Sequence, residues 1–282
     1  MNLSLTDEQQ LIAETASDFL AEKSPVARFR ALRDRGDEVG YSKALWKEMA
    51  ELGWAGIPFD EKNGGADMGM AELITVLEAV GACLAPEPFI SSILLGGQAL
   101  SLAGSDEQKK TWLDPMIEGS TCLALASQET GSRYDLARVS TKAERDGDTY
   151  KLTGEKIQVI DGHAADHIVV SVRTSGGESD EAGISLFVVA ADAAGLTRTR
   201  QHRVDHRSAA LLQLDGVSVD ASARLGEEGA GLEILRQVTD LATVGLCAEM
   251  LGGMNQAFQS ALGHLKEREQ FGVKIGTFQA LK

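Results

Sequence analysis

Leu11, Ile12, Ala16, Phe19 and Leu20 recur at threes and fours, and behind them Thr6 is followed three residues later by Gln9. This spacing predicts an amphipathic helix opened by a capping box, in which hydroxyl and amide satisfy backbone N–H groups that the helix leaves unpaired. Leu45, Trp46, Met49 and Leu52 predict a second helix, residues 72–83 a third, and Ser105 with Gln108 caps another. No stretch before residue 120 keeps period-two alternation, so residues 1–120 read as an all-α domain with glycine-rich connections such as 58–65.

After Gly119 the pattern changes to short runs rich in β-branched residues, at 122–127, 140–144, 149–160, 168–173, 184–190 and 209–219, separated by turn signals. Residues 121–229 therefore read as a β domain. Asp146-Gly147 predicts a type I′ hairpin turn, and 174–182, rich in Gly, Ser and acids, an exposed loop. From Gly231 helical spacing returns through Leu235, Val238, Ala242, Gly245, Ala248, Gly252, Asn255, Phe258, Leu262 and Leu265. Such a helix measures roughly 55 Å at ~1.5 Å per residue, too long for one small domain to cover, so another helix or subunit must pack along its small residues.

Composition narrows the function classes. A chain of 282 residues that is 43% hydrophobic can build more than one buried core. Its 27 basic and 42 acidic residues leave a net charge of −15, which repels nucleic acid and anionic lipid, and no local basic patch stands out along the sequence. An anionic ligand would then depend on a few placed arginines, and Arg268 suits that task. Cys83, Cys122 and Cys247 are too scattered for a disulfide framework or metal cluster and fit a reducing, cytoplasmic setting. His202, His206 and His264 have no carboxylate or cysteine at ligand spacing, so no metal site is expected and they read as surface or packing residues. Residues 1–10 lack a basic segment followed by an apolar run, so no secretory signal is read there. The most apolar stretch, 85–102, is broken by Pro86, Glu87 and Pro88, so no membrane span is expected.

The most specific string lies at 268–282, where Arg268, Gln270, Phe271 and Gln279 surround a glycine break at a helix end. It resembles the segment with which acyl-CoA dehydrogenases reach across a subunit interface to the diphosphate and ribityl portion of a neighbour's FAD. The order of helical domain, β domain and long helix resembles that family along the whole chain. So do the glycine-rich loop 58–70, Gly154-Glu155-Lys156, and the approach to the long helix at 212–231. The resemblance implies an α+β fold with a middle β-barrel or sandwich and, at 230–282, the start of a C-terminal helical bundle whose remainder is absent. It also implies FAD as cofactor, an acyl-CoA substrate, an electron-transfer flavoprotein or similar acceptor, and a homo- or hetero-oligomer, a tetramer, built through the C-terminal helices. In the family, FAD takes hydride from the β-carbon at N5 while a glutamate takes the α-proton, giving a trans-2-enoyl thioester. Arg268, Gln270, Phe271 and Gln279 would then be FAD contacts, and Ser127, Gln128, Gln158 and Ile160 would stand at the flavin ring.

Departures from the family pattern gather at that ring. Where relatives show Thr-Glu-Pro-Gly-x-Gly-Ser-Asp, residues 128–135 read Gln-Glu-Thr-Gly-Ser-Arg-Tyr-Asp, with Tyr134 in place of serine. Where they show Trp-Ile-Thr, this chain has Gln158-Val159-Ile160, which offers neither indole face nor hydroxyl. Most of the family carries its base on a helix that would follow Lys282, and a minority carries it at the position of Ala242, which Thr243 follows where arginine is common. No catalytic residue is therefore assigned, and Glu249 on the same helix is read as a buried polar or interface residue that points elsewhere. These features together imply a degenerate subunit completing FAD sites on a partner chain. Two alternatives stand beside it: an active homomeric dehydrogenase with its base beyond residue 282, and a flavin-free acyl-CoA-binding or interaction module.

Overall fold

A computed structural model describes residues 4–281; Met1, Asn2, Leu3 and Lys282, which enter the readings of the two chain ends, lie outside the described residues. Helix α1 spans Asp7–Lys23, and its capping box forms as the spacing requires: Thr6 Oγ1 accepts from the Gln9 N–H at 3.2 Å, and Gln9 Oε1 accepts from the Thr6 N–H at 3.0 Å. Helices α2 (Val26–Asp34), α3 (Lys43–Glu51) and α4 (Met70–Cys83) follow. α2 is absent from the sequence reading because its three arginines interrupt the apolar stripe, of which Leu32 alone is buried. The apolar stretch after Pro88 is a π-helical segment, Phe89–Gly97, continued by α5 (Gln98–Ala103), and it runs through the middle of the helical core. A helix apolar all round belongs inside a core. Its serines do not break it, because Ser92 exchanges hydrogen bonds with the Leu123 backbone, accepting at 3.0 Å and donating at 3.1 Å. Short helices α6 (Asp106–Gln108) and α7 (Asp114–Ile117) complete this layer.

The β domain contains β1 (Leu123–Ala126), β2 (Lys142–Asp146), β3 (Thr149–Ile160), β4 (His167–Arg173), β5 (Ile184–Ala190), β6 (Leu196–Gln201), β7 (Ala209–Asp220) and β8 (Arg224–Leu225). They form one mixed sheet in the order β6-β7-β3-β2-β4-β5-β8, with β1 parallel to β4. β6 escaped the sequence reading because Thr197, Arg198, Thr199 and Arg200 make it polar on both faces, which an edge strand tolerates. The β2–β3 turn differs from expectation. Its central residues are Gly147 and Asp148, and only Gly147 has positive φ, at 65°, so the turn follows the II′ pattern and not type I′. The exposed 174–182 loop is tied down from beneath, where the Arg173 guanidinium donates to the carbonyls of Ala137, Glu178, Asp180 and Ala182.

Helix α8, Gly231–Glu267, is one 37-residue rod, so the predicted length holds. Small residues let it lie directly on α4. A Cβ on Gly81 would overlap the Glu249 carbonyl, and one on Gly252 would overlap the Glu78 carbonyl. α4 covers only part of the rod, and Met250, Met254 and Phe258 stay more than half exposed, at 58%, 62% and 63%.

Candidate functional site

Ser127 and Gln128, at the exit of β1, lie beside Gln158 and Ile160, at the end of β3, in one pocket of about 160 Å³. α8 closes it with Thr239, Ala242, Thr243 and Leu246. The structure thus brings together all four residues assigned to the ring from sequence, along with the position of the family's alternative base. A register shift between Lys156 and Val159 in the β3–β7 ladder bulges the strand at this point. Gln158 sits in the bulge at φ 52°, its N–H donating to Gln201 Oε1 at 2.9 Å.

The turn after Gln128 is anchored from below by an ion pair that the sequence did not reveal. Lys156 Nζ donates to Glu129 Oε1 at 2.6 Å and to Ser171 Oγ at 2.9 Å. Glu129 also accepts from the backbone N–H groups of Ser140 and Thr141 and from the Ser140 hydroxyl. Burial pushes the Glu129 carboxyl up, but Lys156 and these donors outweigh it and hold the group well below its ordinary value. Gly154-Glu155-Lys156 therefore keeps its motif for a structural reason, namely that Lys156 fixes the turn. At the tip the architecture loosens, with Arg133 at φ 51° and Tyr134 96% exposed.

Ile160 carries no hydrogen-bonding side-chain group, Gln158 is exposed and offers no aromatic face, and the Thr243 hydroxyl donates to the Thr239 carbonyl at 2.8 Å.

Ile90, Ile160 and Leu246 are shared with a second, largely apolar cavity of about 480 Å³ that also touches Phe29, Leu84 and Met250. Glu249 lines this second cavity and not the pocket beside Gln158 and Ala242, and it is largely buried and paired with Arg207 at 2.9 Å. Behind it lies Asp161, buried and accepting from Ser91 Oγ at 2.6 Å; burial pushes its carboxyl up to about 6, against the pull of Ser91 and Arg207. The absence of a basic patch is corrected in three dimensions. Arg200, Arg203 and Arg207, with His202 and His206, lie within eight residues of the chain and are joined on one cleft by Arg33 of α2.

The other four assigned residues sit at the far end of α8. From Ala242 to Arg268 the rod runs about 39 Å at ~1.5 Å per residue, so one subunit cannot bring both groups to one nucleotide. Beyond Glu267, β9 (Glu269–Gln270) and β10 (Val273–Lys274) form a hairpin whose turn is Phe271-Gly272, with φ 54° and 79°. Both signs are positive, as a type I′ turn requires. Lys274 ties the hairpin back to the rod through the Glu267 carbonyl at 3.0 Å and pairs with Glu269 across the hairpin at 3.1 Å, and Phe271 meets Phe278 edge-on at 6.4 Å. Arg268, Gln270, Phe271 and Gln279 are all exposed, and the Arg268 guanidinium has no ion pair among the described residues. The hook thus presents a guanidinium and two amides, groups that can donate hydrogen bonds to an anion.

Comparison with known proteins agrees with this layout. The chain matches the acyl-CoA dehydrogenase N-terminal domain over residues 6–120, the middle domain over 122–217 and the C-terminal domain over 229–282. It is 31% identical to the probable acyl-CoA dehydrogenase YngJ of Bacillus subtilis, covering all of this chain and 74% of that protein. Butyryl-CoA dehydrogenase from Megasphaera elsdenii superposes with a TM-score of 0.89 at 28% identity, over 100% of this chain and 74% of that one. A chain of the ChsE4-ChsE5 complex from Mycobacterium tuberculosis superposes at 0.87 with 28% identity, over 99% and 72%.

Proposed function

The chain belongs to the acyl-CoA dehydrogenase family, and from that premise we propose that it serves as a subunit completing FAD sites on a different partner chain in a heteromeric flavoenzyme. One observation carries the reading. The hook at 268–279 is exposed and chemically suited to a diphosphate, whereas the cradle about 39 Å back along the rod carries Gln158 and Ile160 where a ring would need a wall and a donor. A structural relative described as a complex of two different chains, ChsE4-ChsE5, supports the assembly. The partner chain supplies the ring pocket, the acyl-CoA oxidation and the catalytic base; an electron-transfer flavoprotein or similar acceptor takes the electrons. The exposed stripe of Met250, Met254 and Phe258 provides the apolar surface through which such a partner packs.

Purification of this chain alone and together with its partner, followed by visible absorbance and subunit counting, tests the proposal. The lone chain is expected colourless, and the complex is expected to hold one FAD for each pair of different chains. Stoichiometric flavin in the lone chain, with acyl-CoA oxidation, would instead establish the homomeric enzyme.

A further inference from the structure

The segment that connects β6 to β7 faces α2 across the arginine cleft, of about 160 Å³. In a chain of net charge −15 this is a local reversal of sign. Its charges pair off with one exception. Arg33 meets Asp34 at 2.7 Å, Arg203 meets Asp205 at 3.1 Å and Arg207 meets Glu249 at 2.9 Å. Asp37, which also lines the cleft, is already satisfied by Arg35 and by the N–H groups of Val39 and Gly40. Arg200 pairs with no carboxylate among the described residues. It donates from Nη1 to the carbonyls of Asp37 and Glu38, so its charge is held in place without being neutralised, and Nε and Nη2 remain to donate. That charge is felt nearby: burial and then Arg200 hold the His163 imidazole below its ordinary pKa, against the pull of the Glu38 and Val39 carbonyls. Beside the cleft Val204 is 99% exposed, an apolar side chain with no packing partner in its own chain.

We propose that the cleft is a docking point for a partner protein, taking one aspartate or glutamate side chain of that partner at Arg200 while an apolar residue next to the acid packs on Val204. The free Nε–Nη2 edge of a guanidinium matches a carboxylate through two parallel hydrogen bonds, and a side chain already held by two carbonyls loses little freedom when it binds. Charge sets the choice of anion. One unmatched positive charge calls for one negative charge; a phosphate dianion would bring two, and a nucleic acid would set a row of phosphates against Asp34, Asp37 and Asp205. Size sets the choice of a protein over a free small acid. The cleft admits little beyond the carboxyl end of a side chain, so further affinity has to come from outside it, where Val204 stands bare. The surface uses neither the hook nor the four residues at the ring pocket, so it stands or falls separately from the flavin reading.

Titration of the full chain with the blocked tripeptide acetyl-Leu-Glu-Leu-amide, followed by NMR through the Arg200 Nε–H and the backbone amides of 202–208, tests the surface. The tripeptide is expected to shift these signals saturably at millimolar concentration, with acetyl-Leu-Gln-Leu-amide and acetate at least about tenfold weaker, because each lacks one half of the recognition. Arg200→Gln should weaken the tripeptide about tenfold. Val204→Asp, at a position too exposed to disturb the fold, should weaken it about fivefold by replacing the apolar contact with a like charge. Equal affinity for the Glu and Gln tripeptides, or tripeptide binding indifferent to both substitutions, overturns the proposal. So does acetate or inorganic phosphate binding at least as tightly as the tripeptide, since the cleft would then be a site for a small anion and not for a protein.

Discussion

Under the proposed function, two regions along α8 are the two halves of a divided nucleotide site, and they are built in opposite ways. Near Ala242 the pocket is framed by regular structure with a buried, fully paired foundation in Glu129 and Lys156, and its lining at Gln158 and Ile160 offers neither an aromatic wall nor a hydroxyl. At Arg268 there is hardly any foundation, only two short strands, a two-residue turn and one edge-on aromatic pair, all exposed, around a guanidinium and two amides. Burial preserves architecture whether or not a ligand comes, because the fold depends on it. An exposed hook contributes little to folding, so its side chains are free to serve a ligand.

The largest effect should come from the foundation of the cradle. Lys156→Met leaves the Glu129 carboxylate buried without its cation, which costs about 3 to 5 kcal/mol. Urea unfolding should show that loss, while FAD held on the partner chain should be untouched in whatever complex still assembles. Acid should act on the same pair. Above the ordinary carboxylate value of 4.5, Glu129 is ionised in both folded and unfolded chains and its contribution is fully present; as pH falls toward about 2 the unfolded chain takes up the proton first, and the contribution is lost. Stability measured from pH 6 down to pH 2 should therefore decline in the wild type, with a shallower decline in Glu129→Gln.

Next in size is the hook. Arg268→Ala removes charge-assisted hydrogen bonds worth about 1.5 to 3 kcal/mol, so FAD should leave the complex at least about tenfold more readily on dilution, as followed by flavin fluorescence. Arg268→Lys should recover part of this, since an ammonium keeps the charge but loses the fork. Neither change should alter urea unfolding of the lone chain by more than about 0.5 kcal/mol, because the guanidinium is exposed and unpaired. Flavin retention indifferent to Arg268 would remove one side of the contrast.

What could be read from sequence follows how local each signal is. Thr6 with Gln9, and the stripe from Leu235 to Leu265, are encoded within a few turns of chain, and both elements form as the spacing requires. β6 and the buried Phe89–Gly97 segment were not legible. β6 is polar on both faces, and the serines of the Phe89–Gly97 segment, with the prolines just before it, have the character of helix breakers until Asp161, Cys122 and Leu123 arrive as hydrogen-bond partners. At the candidate site, the gathering of Ser127, Gln128, Gln158 and Ile160 followed from a family likeness and not from periodicity. The Glu129–Lys156 pair and the pairing of Glu249 with Arg207 arise from contacts between residues far apart in the chain, which no local window contains, whereas the arginine cleft lies largely within residues 200–207 and needs only Arg33 from elsewhere.

The smallest prediction probes how much of the cradle has gone. Ile160→Thr puts back one hydroxyl at the end of β3, on a residue that packs against the helical core and lines both inner cavities. Without a ligand this should destabilise the chain by about 1 kcal/mol, since apolar contacts are lost and a half-buried hydroxyl must find a partner. A flavin ring would return about 1 kcal/mol through one hydrogen bond, or roughly fivefold in affinity, which is too little to seat it while Gln158 still stands exposed in the bulge. The variant complex should therefore unfold slightly earlier and carry no additional flavin. If this one substitution instead doubled the FAD content, the two ends of α8 would differ by a single oxygen atom, and the division of labour between this chain and its partner would have to be redrawn.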